Sequence, residues 1–328
     1  MNQSRKQIAI LALATASAAA VIAKGLQAAD EDRSITSLLI EDTLQWIPQT
    51  DYRNKKTYQK ALMQSKQPYK LPSTARCTYG FHEFANQQDT FVVTPPASPS
   101  KYTIFYLHGG SYWQDPNLFY FKFFRKLADR LNCQIVVPVY PKAPSYDAQD
   151  VHKMVLNRYI DLIQHHNVSS ESIIIMGDSA GGGLALALLQ VLRDQNLPLP
   201  RQGFLISPWL DITNSNMGMQ LVQPRDPILN IEKLAFQGRE YAGSLGLKDP
   251  LVSPIYGKLT GLPPLSVITG TRDILYADIL KYQNLCQEQD LKVSFHIFDK
   301  QLHCFIGFPI PESDIALDLI AKDIENLK

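Results

Sequence analysis

One serine in this 328-residue chain sits where chemistry would need it: Ser179, in Gly177-Asp178-Ser179-Ala180-Gly181. Glycines two before and two after permit a turn so sharp that bulkier neighbours would collide, and such a turn leaves the serine Oγ exposed. A serine hydroxyl is a weak nucleophile until a base takes its proton and a carboxylate orients that base. The only histidines downstream of it are His296 and His303. His296 falls inside an apolar run that reads as a strand, where alternation fixes its side chain in a structural role. His303 follows in the loop Asp299-Lys300-Gln301-Leu302-His303-Cys304-Phe305, at a strand end suited to a base. For the acid, Asp273 in Thr269-Gly270-Thr271-Arg272-Asp273 is best placed, with Asp278 and Asp299 as rivals. Asp278 reads as a solvated charge one turn into the next helix.

An acyl-transfer reaction also needs donors for the oxyanion. His108-Gly109-Gly110 ends an apolar run, and backbone N–H groups of Gly109 and Gly110, with that of Ala180, are the candidate oxyanion hole. His108 itself reads as a brace for this loop. Trp113, close behind, is a candidate wall of the substrate site.

The elements that must hold these residues follow from apolar patterning. Ile173 to Met176 is too short for a helix and suits a buried parallel strand, and Leu184 to Leu192 is apolar on nearly every side, as a helix against a sheet would be. Upstream, Tyr102–Leu107 and Cys133–Tyr140 read as strands, Asn117–Leu131 and Val151–His165 as helices. Gly203–Ile206, Pro264–Thr269 and Val293–Phe298 continue the strands, and Ser313–Leu327 closes the chain as a helix with Ser313 as its N-cap. Thr78–Ala85 and Thr90–Thr94 are shorter strand-like pieces. The alternation predicts an α/β fold, a mostly parallel sheet with helices on both faces. Two regions break the pattern: 30–70, with helix-period apolar positions, and the proline- and glycine-rich 207–262. The first reads as one or two helices outside the main sheet, the second as a helical insertion over the carboxyl ends of the strands, where ligands bind in open α/β sheets.

Composition bounds the rest. A net charge of +1 without a basic run points to no nucleic-acid partner. Cys77, Cys133, Cys286 and Cys304 are scattered singly, which suits free thiols and leaves room for one optional disulfide, with no metal-type pairing. Nothing calls for a cofactor or metal. At the N-terminus, Arg5 and Lys6 precede an uncharged stretch from Ile8 to Ala23. This is the layout of a secretory signal, slightly short of the roughly 20 apolar residues that span a bilayer. Residues 1–29 are therefore expected to be a signal peptide or an N-terminal membrane anchor, and the catalytic domain, 30–328, to be exported. Either form keeps membrane attachment through this segment open, and the oligomeric state is not legible.

The pattern resembles the hormone-sensitive-lipase-like branch of the α/β-hydrolase superfamily, which includes bacterial carboxylesterases. The resemblance rests on HGGSYW (108–113), VYPKAP (139–144), GDSAGGGLA (177–185), SPWLD (207–211), DPLVSPIYG (249–257), GLPPLSVITGTRDIL (261–275) and HCF (303–305). It implies Ser179 as nucleophile, Asp273 as acid, His303 as base, Gly109, Gly110 and Ala180 as oxyanion donors, and a cap formed by 30–70 and 207–262 together. The chain departs from the family where Gly183 replaces a frequent asparagine and Pro141 an arginine. The expected activity is hydrolysis of small, short-chain acyl esters through an acyl-enzyme. An arylformamidase-like amide hydrolase fits the same loop, and a non-catalytic ligand receptor on this fold would lack the base that His303 supplies.

Overall fold

The computed structural model describes residues 21–327 apart from 49, 88 and 167, so most of the leader lies outside the described residues. Eight strands form one sheet in the order β1-β2-β4-β3-β5-β6-β7-β8. These are β1 (His82–Glu83), β2 (Thr90–Val93), β3 (Thr103–Leu107), β4 (Gln134–Pro138), β5 (Ile173–Asp178), β6 (Gln202–Ile206), β7 (Leu265–Arg272) and β8 (Val293–Leu302). β1 and β2 are antiparallel; every pairing from β4 to β8 is parallel.

The central strands carry no polar face because both faces are covered. Phe105 and Leu107 of β3, with Ile173 and Ile175 of β5, join one core cluster with α6 (Ala148–Gln164), α7 (Ala180–Asp194) and α10 (Tyr276–Glu288). Their neighbours Ile104, Tyr106, Ile174 and Met176 join the other, against α5 (Leu118–Leu131) and α11 (Pro311–Glu325). An apolar run buried on both sides is the signature of a parallel strand between helical layers. β4 and β5 flank β3 on opposite sides, so the chain reverses direction across the sheet there. The crevice at such a reversal, at the carboxyl ends of the strands, is where ligands bind.

The N-terminal region is helical: α1 (residues 21–31), α2 (Ile35–Gln45), α3 (Lys55–Ser65) and α4 (Ser73–Tyr79). α3 meets the later insertion, where Tyr58 donates to Glu240 at 2.6 Å on α9 (Ile231–Ala242); α8 (Gly218–Val222) completes that insertion. α2 lies elsewhere. Arg33, just before it, and Glu41 within it join Glu31 and Arg272 in a nearly buried ion network at the end of β7.

Two expected elements differ. Thr78–Ala85 is not a strand: α4 runs through Tyr79 and ends on left-handed Gly80, leaving β1 only two residues. Helix capping by the glycine overrides the β-prone aromatics there. Ser313 is not an N-cap but a buried residue inside α11, its hydroxyl donating to Ile306 O at 2.5 Å; Pro311 starts the helix.

Candidate active site

Ser179 occupies the junction of β5 and α7 with φ 55° and ψ −122°, a conformation that costs a non-glycine residue about 1–3 kcal/mol. Close packing imposes it. A Cβ on Gly177 would lie 2.3 Å from Gly181 O, and one on Gly181 would lie 2.0 Å from Leu107 O. Backbone bonds lock the turn: Ser179 N donates to Ile206 O at 2.8 Å, and Ser179 O accepts from Trp209 N at 2.8 Å. Ala180 is the first residue of α7, where a backbone N–H has no intrahelical acceptor and the positive end of the helix dipole points outward.

His303 follows β8 directly and is buried, its Nδ1 2.7 Å from Asp273 Oδ2. Asp273 follows β7, is fully buried, and also accepts from Leu275 N at 2.9 Å. Burial is the largest influence and disfavours the His303 imidazolium, yet Asp273 and the neighbouring Cys304 together outweigh it and hold the imidazole well above its ordinary pKa. On the other ring nitrogen, Nε2 faces the Cys304 thiol at 3.4 Å. Burial pushes that thiol up to about 12, so it stays protonated. The structure separates the rival acids from this pair. Asp278 on α10 is buried, not solvated as its helical position suggested, and its Oδ1 accepts from Asn216 at 2.9 Å. Asp299 is exposed and accepts from Thr271 at 2.8 Å. His296 pairs at 3.8 Å with Asp323 on α11, away from the acid.

The oxyanion loop is held by a residue that motif reading passed over. Asp178, buried beside the nucleophile, accepts from Tyr120 OH at 2.6 Å, Tyr106 OH at 3.0 Å and Gly109 N at 3.0 Å. Burial raises its carboxyl, and these three donors pull it back. Gly109's N–H is thus committed to Asp178 rather than aimed at a substrate. Gly110 lines the cavity at φ +110°, and it and Ala180 are the two remaining expected donors. His108 is stacked on Tyr140 with ring centroids 4.2 Å apart, and its Nδ1 donates to Gly109 O at 2.8 Å. Burial takes its pKa down to about 3, which makes it a neutral brace.

Ser179 and His303 share a cavity of about 220 Å³. Phe119, Tyr120 and Phe123 from α5, Ile306 and Phe308 after β8, and Gln114, Ile228, Leu229 and Lys233 line it. Asn117 caps α5 by accepting from Phe119 N and Tyr120 N, so the cap sets the aromatic wall. Trp113 is not among the lining residues. Ser111 and Tyr112 both take positive φ, and the chain buries Trp113 against Tyr52, Tyr58 and Phe236, with its Nε1 donating to Gln237 O. A second residue without any sequence signal is Asp226. Its Oδ1 accepts from Ile228 N and Leu229 N at 2.8 and 2.9 Å, its Oδ2 from Ile274 N at 2.9 Å. It ties a cavity wall to the turn that carries the acid. Burial and the nearby Asp273 raise it to about 6, against the pull of His303. No cluster of three or more His, Cys, Asp or Glu side chains placed to hold a metal occurs among the described residues.

Residues 104–307 match the family described as alpha/beta hydrolase fold. An esterase of Acinetobacter venetianus is 32% identical over 222 residues, covering 67% of this chain and 73% of that protein. The crystal structure of a candidate esterase from Staphylococcus aureus superposes with a TM-score of 0.78 at 28% identity, over 85% of this chain and 95% of that one. An esterase from the bacterial hormone-sensitive lipase family shares the fold, with a TM-score of 0.74 at 23% identity over 88% and 97% of the two chains.

Proposed function

We propose that this chain, which belongs to the α/β-hydrolase fold family, is a serine carboxylesterase of the hormone-sensitive-lipase-like branch that cleaves short acyl esters through an acyl-enzyme on Ser179. The observation that carries this reading is the strained Ser179 in one cavity with His303, whose other ring nitrogen is held by buried Asp273 at 2.7 Å.

The chemistry follows from the geometry. With Nδ1–H donated to Asp273, His303 presents Nε2 as the base that takes the Ser179 proton as Oγ attacks the ester carbonyl. Burial removes water from the imidazolium that forms, and Asp273 compensates its charge. The tetrahedral oxyanion is met by the N–H groups of Ala180 and Gly110; losing one such donor typically costs about 10²–10³ in rate. His303 returns its proton to the departing alcohol, then activates a water that releases the acid from Ser179. A cavity of about 220 Å³ is small beside the roughly 300–1,000 Å³ of ordinary ligand clefts, which supports a short acyl chain.

An organophosphonate should leave one adduct, on the Ser179 peptide, and Ser179→Ala should abolish both adduct and turnover while leaving the fold intact. A panel of nitrophenyl esters from acetyl to palmitoyl, with an aryl formamide included, should show the highest kcat/KM for the short esters. Equal rates on palmitoyl esters would refute the size limit, and a faster formamide would move the assignment to amide hydrolysis. Labelling of another residue would overturn the mechanism.

The leader supports export. From Arg5, Lys6 and the uncharged run Ile8–Ala23 we infer export of the catalytic domain, secreted or anchored. Fractionation of the native host, with sequencing of the mature N-terminus, tests this; full-length protein wholly in the cytosol would end it.

A further inference from the structure

The N-terminal helices carry an exposed apolar surface that the catalytic chemistry does not use. α1 and α2 form an antiparallel hairpin: Lys24 of α1 pairs with Asp42 of α2 at 2.6 Å, and Arg33 at the turn donates to Ser37 and Glu41. One face is fixed to the catalytic domain. Ala28, Arg33, Ser37, Leu38 and Glu41 are buried, Ser37 donates to Gln301 at 3.0 Å, and Ser34 donates to Glu312 at 2.8 Å.

The opposite face is apolar and open. Ile22 and Leu26 are one turn apart on α1, and Leu39 stands near them on α2 by the Lys24–Asp42 register. That register also brings Val21 and Ile22 beside Trp46 and Ile47 at the hairpin's open end. All six are exposed, Trp46 at 85%. A soluble monomer seldom shows large side chains clustered in this way, and a contiguous apolar patch marks an interaction site.

The chain itself indicates the occupant. In sequence, residues 1–20 come immediately before Val21 and Ile22, and their uncharged apolar run begins at Ile8. A tryptophan at the point where an apolar segment meets a folded domain suits the headgroup level of a bilayer, since indole is apolar in body with one polar N–H.

We propose that this face, with Trp46 and Ile47 at its open end, docks the catalytic domain onto the lipid bilayer that holds the leader. The inference rests on the anchor form of the export reading.

The tryptophans provide the test. Of Trp46, Trp113 and Trp209, the second is 7% exposed and the third wholly buried, so emission that responds to lipid comes from Trp46. The full-length chain is reconstituted with vesicles of phosphatidylcholine and phosphatidylglycerol, some bearing brominated acyl chains. Binding should shift emission to the blue, and bromine should quench it. Trp46→Phe should remove both responses, and Leu39→Lys with Ile47→Lys should remove the quenching while the chain stays on the vesicles. All of these variants should hydrolyse a soluble acetyl ester at the wild-type rate. A vesicle-bound chain with unquenched Trp46 would overturn the docking face and leave the anchor standing. A chain that does not bind vesicles would overturn both. Blue-shifted emission before vesicles are added would show that residues 1–20 or a second copy cover the face, and would overturn the proposal.

Discussion

Replacing Asp273 with asparagine tests the pair that the site is built on. The carboxylate lies 2.7 Å from His303 Nδ1, and both side chains are buried. In the transition state the imidazole becomes a cation. Placing the two charge centres about 4 Å apart, at an effective dielectric of about 20, the carboxylate contributes roughly 4 kcal/mol. Most of that is absent with a neutral amide, which corresponds to a loss of about 10³ in kcat. The amide NH₂ also opposes the Nδ1–H tautomer and would add to the loss. Asparagine keeps an oxygen for the Leu275 N–H, so the turn should survive. The assay is kcat on a nitrophenyl acetate, normalised to titrated active sites, together with kcat/KM against pH. In the native enzyme the carboxylate, together with Cys304, holds His303 well above its ordinary value of about 6.5, so activity should fall with acid from above that pH. In Asp273→Asn burial acts without the charge, and the acid limb should move below about 6.5. A rate within about tenfold of native, or an unmoved acid limb, would refute the role given to Asp273.

Asp226→Asn should move the same acid limb to lower pH by a smaller amount, because above about 6 Asp226 is an anion that favours the His303 imidazolium. The pH profile of kcat/KM checks it, and an upward shift would contradict it. Asp278 is raised to about 6 by burial, with Oδ2 unpartnered. An acid raised on folding binds protons more tightly in the native state, so its contribution to stability is complete below about pH 4 and lost as pH rises through about 6. The stability of Asp278→Asn relative to native should therefore improve by roughly 3 kcal/mol between about pH 4 and pH 8, read from denaturant midpoints at the two pH values. A difference independent of pH would refute it.

The sequence by itself determined the nucleophile's setting. An apolar strand, glycines flanking Ser179 and an apolar helix are local features, and a turn that excludes Cβ atoms is written in residue type. Chain order brought Asp273 and His303 forward because strand ends are legible from where apolar runs stop. The mostly parallel sheet with helices on both faces was equally legible, since strands buried on both faces lose their polar alternation.

Tertiary structure alone decided what faces what. Trp113 belongs to the loop that carries Gly110, yet two positive-φ residues turn it into a packed wall instead of the cavity. Gly109 was a candidate donor by spacing until Asp178, one residue before the nucleophile, was seen to take its N–H. Nothing in the proline-rich stretch around Asp226 signals that its carboxylate would bridge Ile228, Leu229 and Ile274 across 48 residues of chain. The strand expected at Thr78–Ala85 yielded to a helix stopped by Gly80, and Asp278 proved buried where helical position suggested solvent. The reason is common to all of these. Backbone propensity and periodicity act over a few residues, whereas a buried polar group must find its partner wherever the fold brings one within about 3 Å.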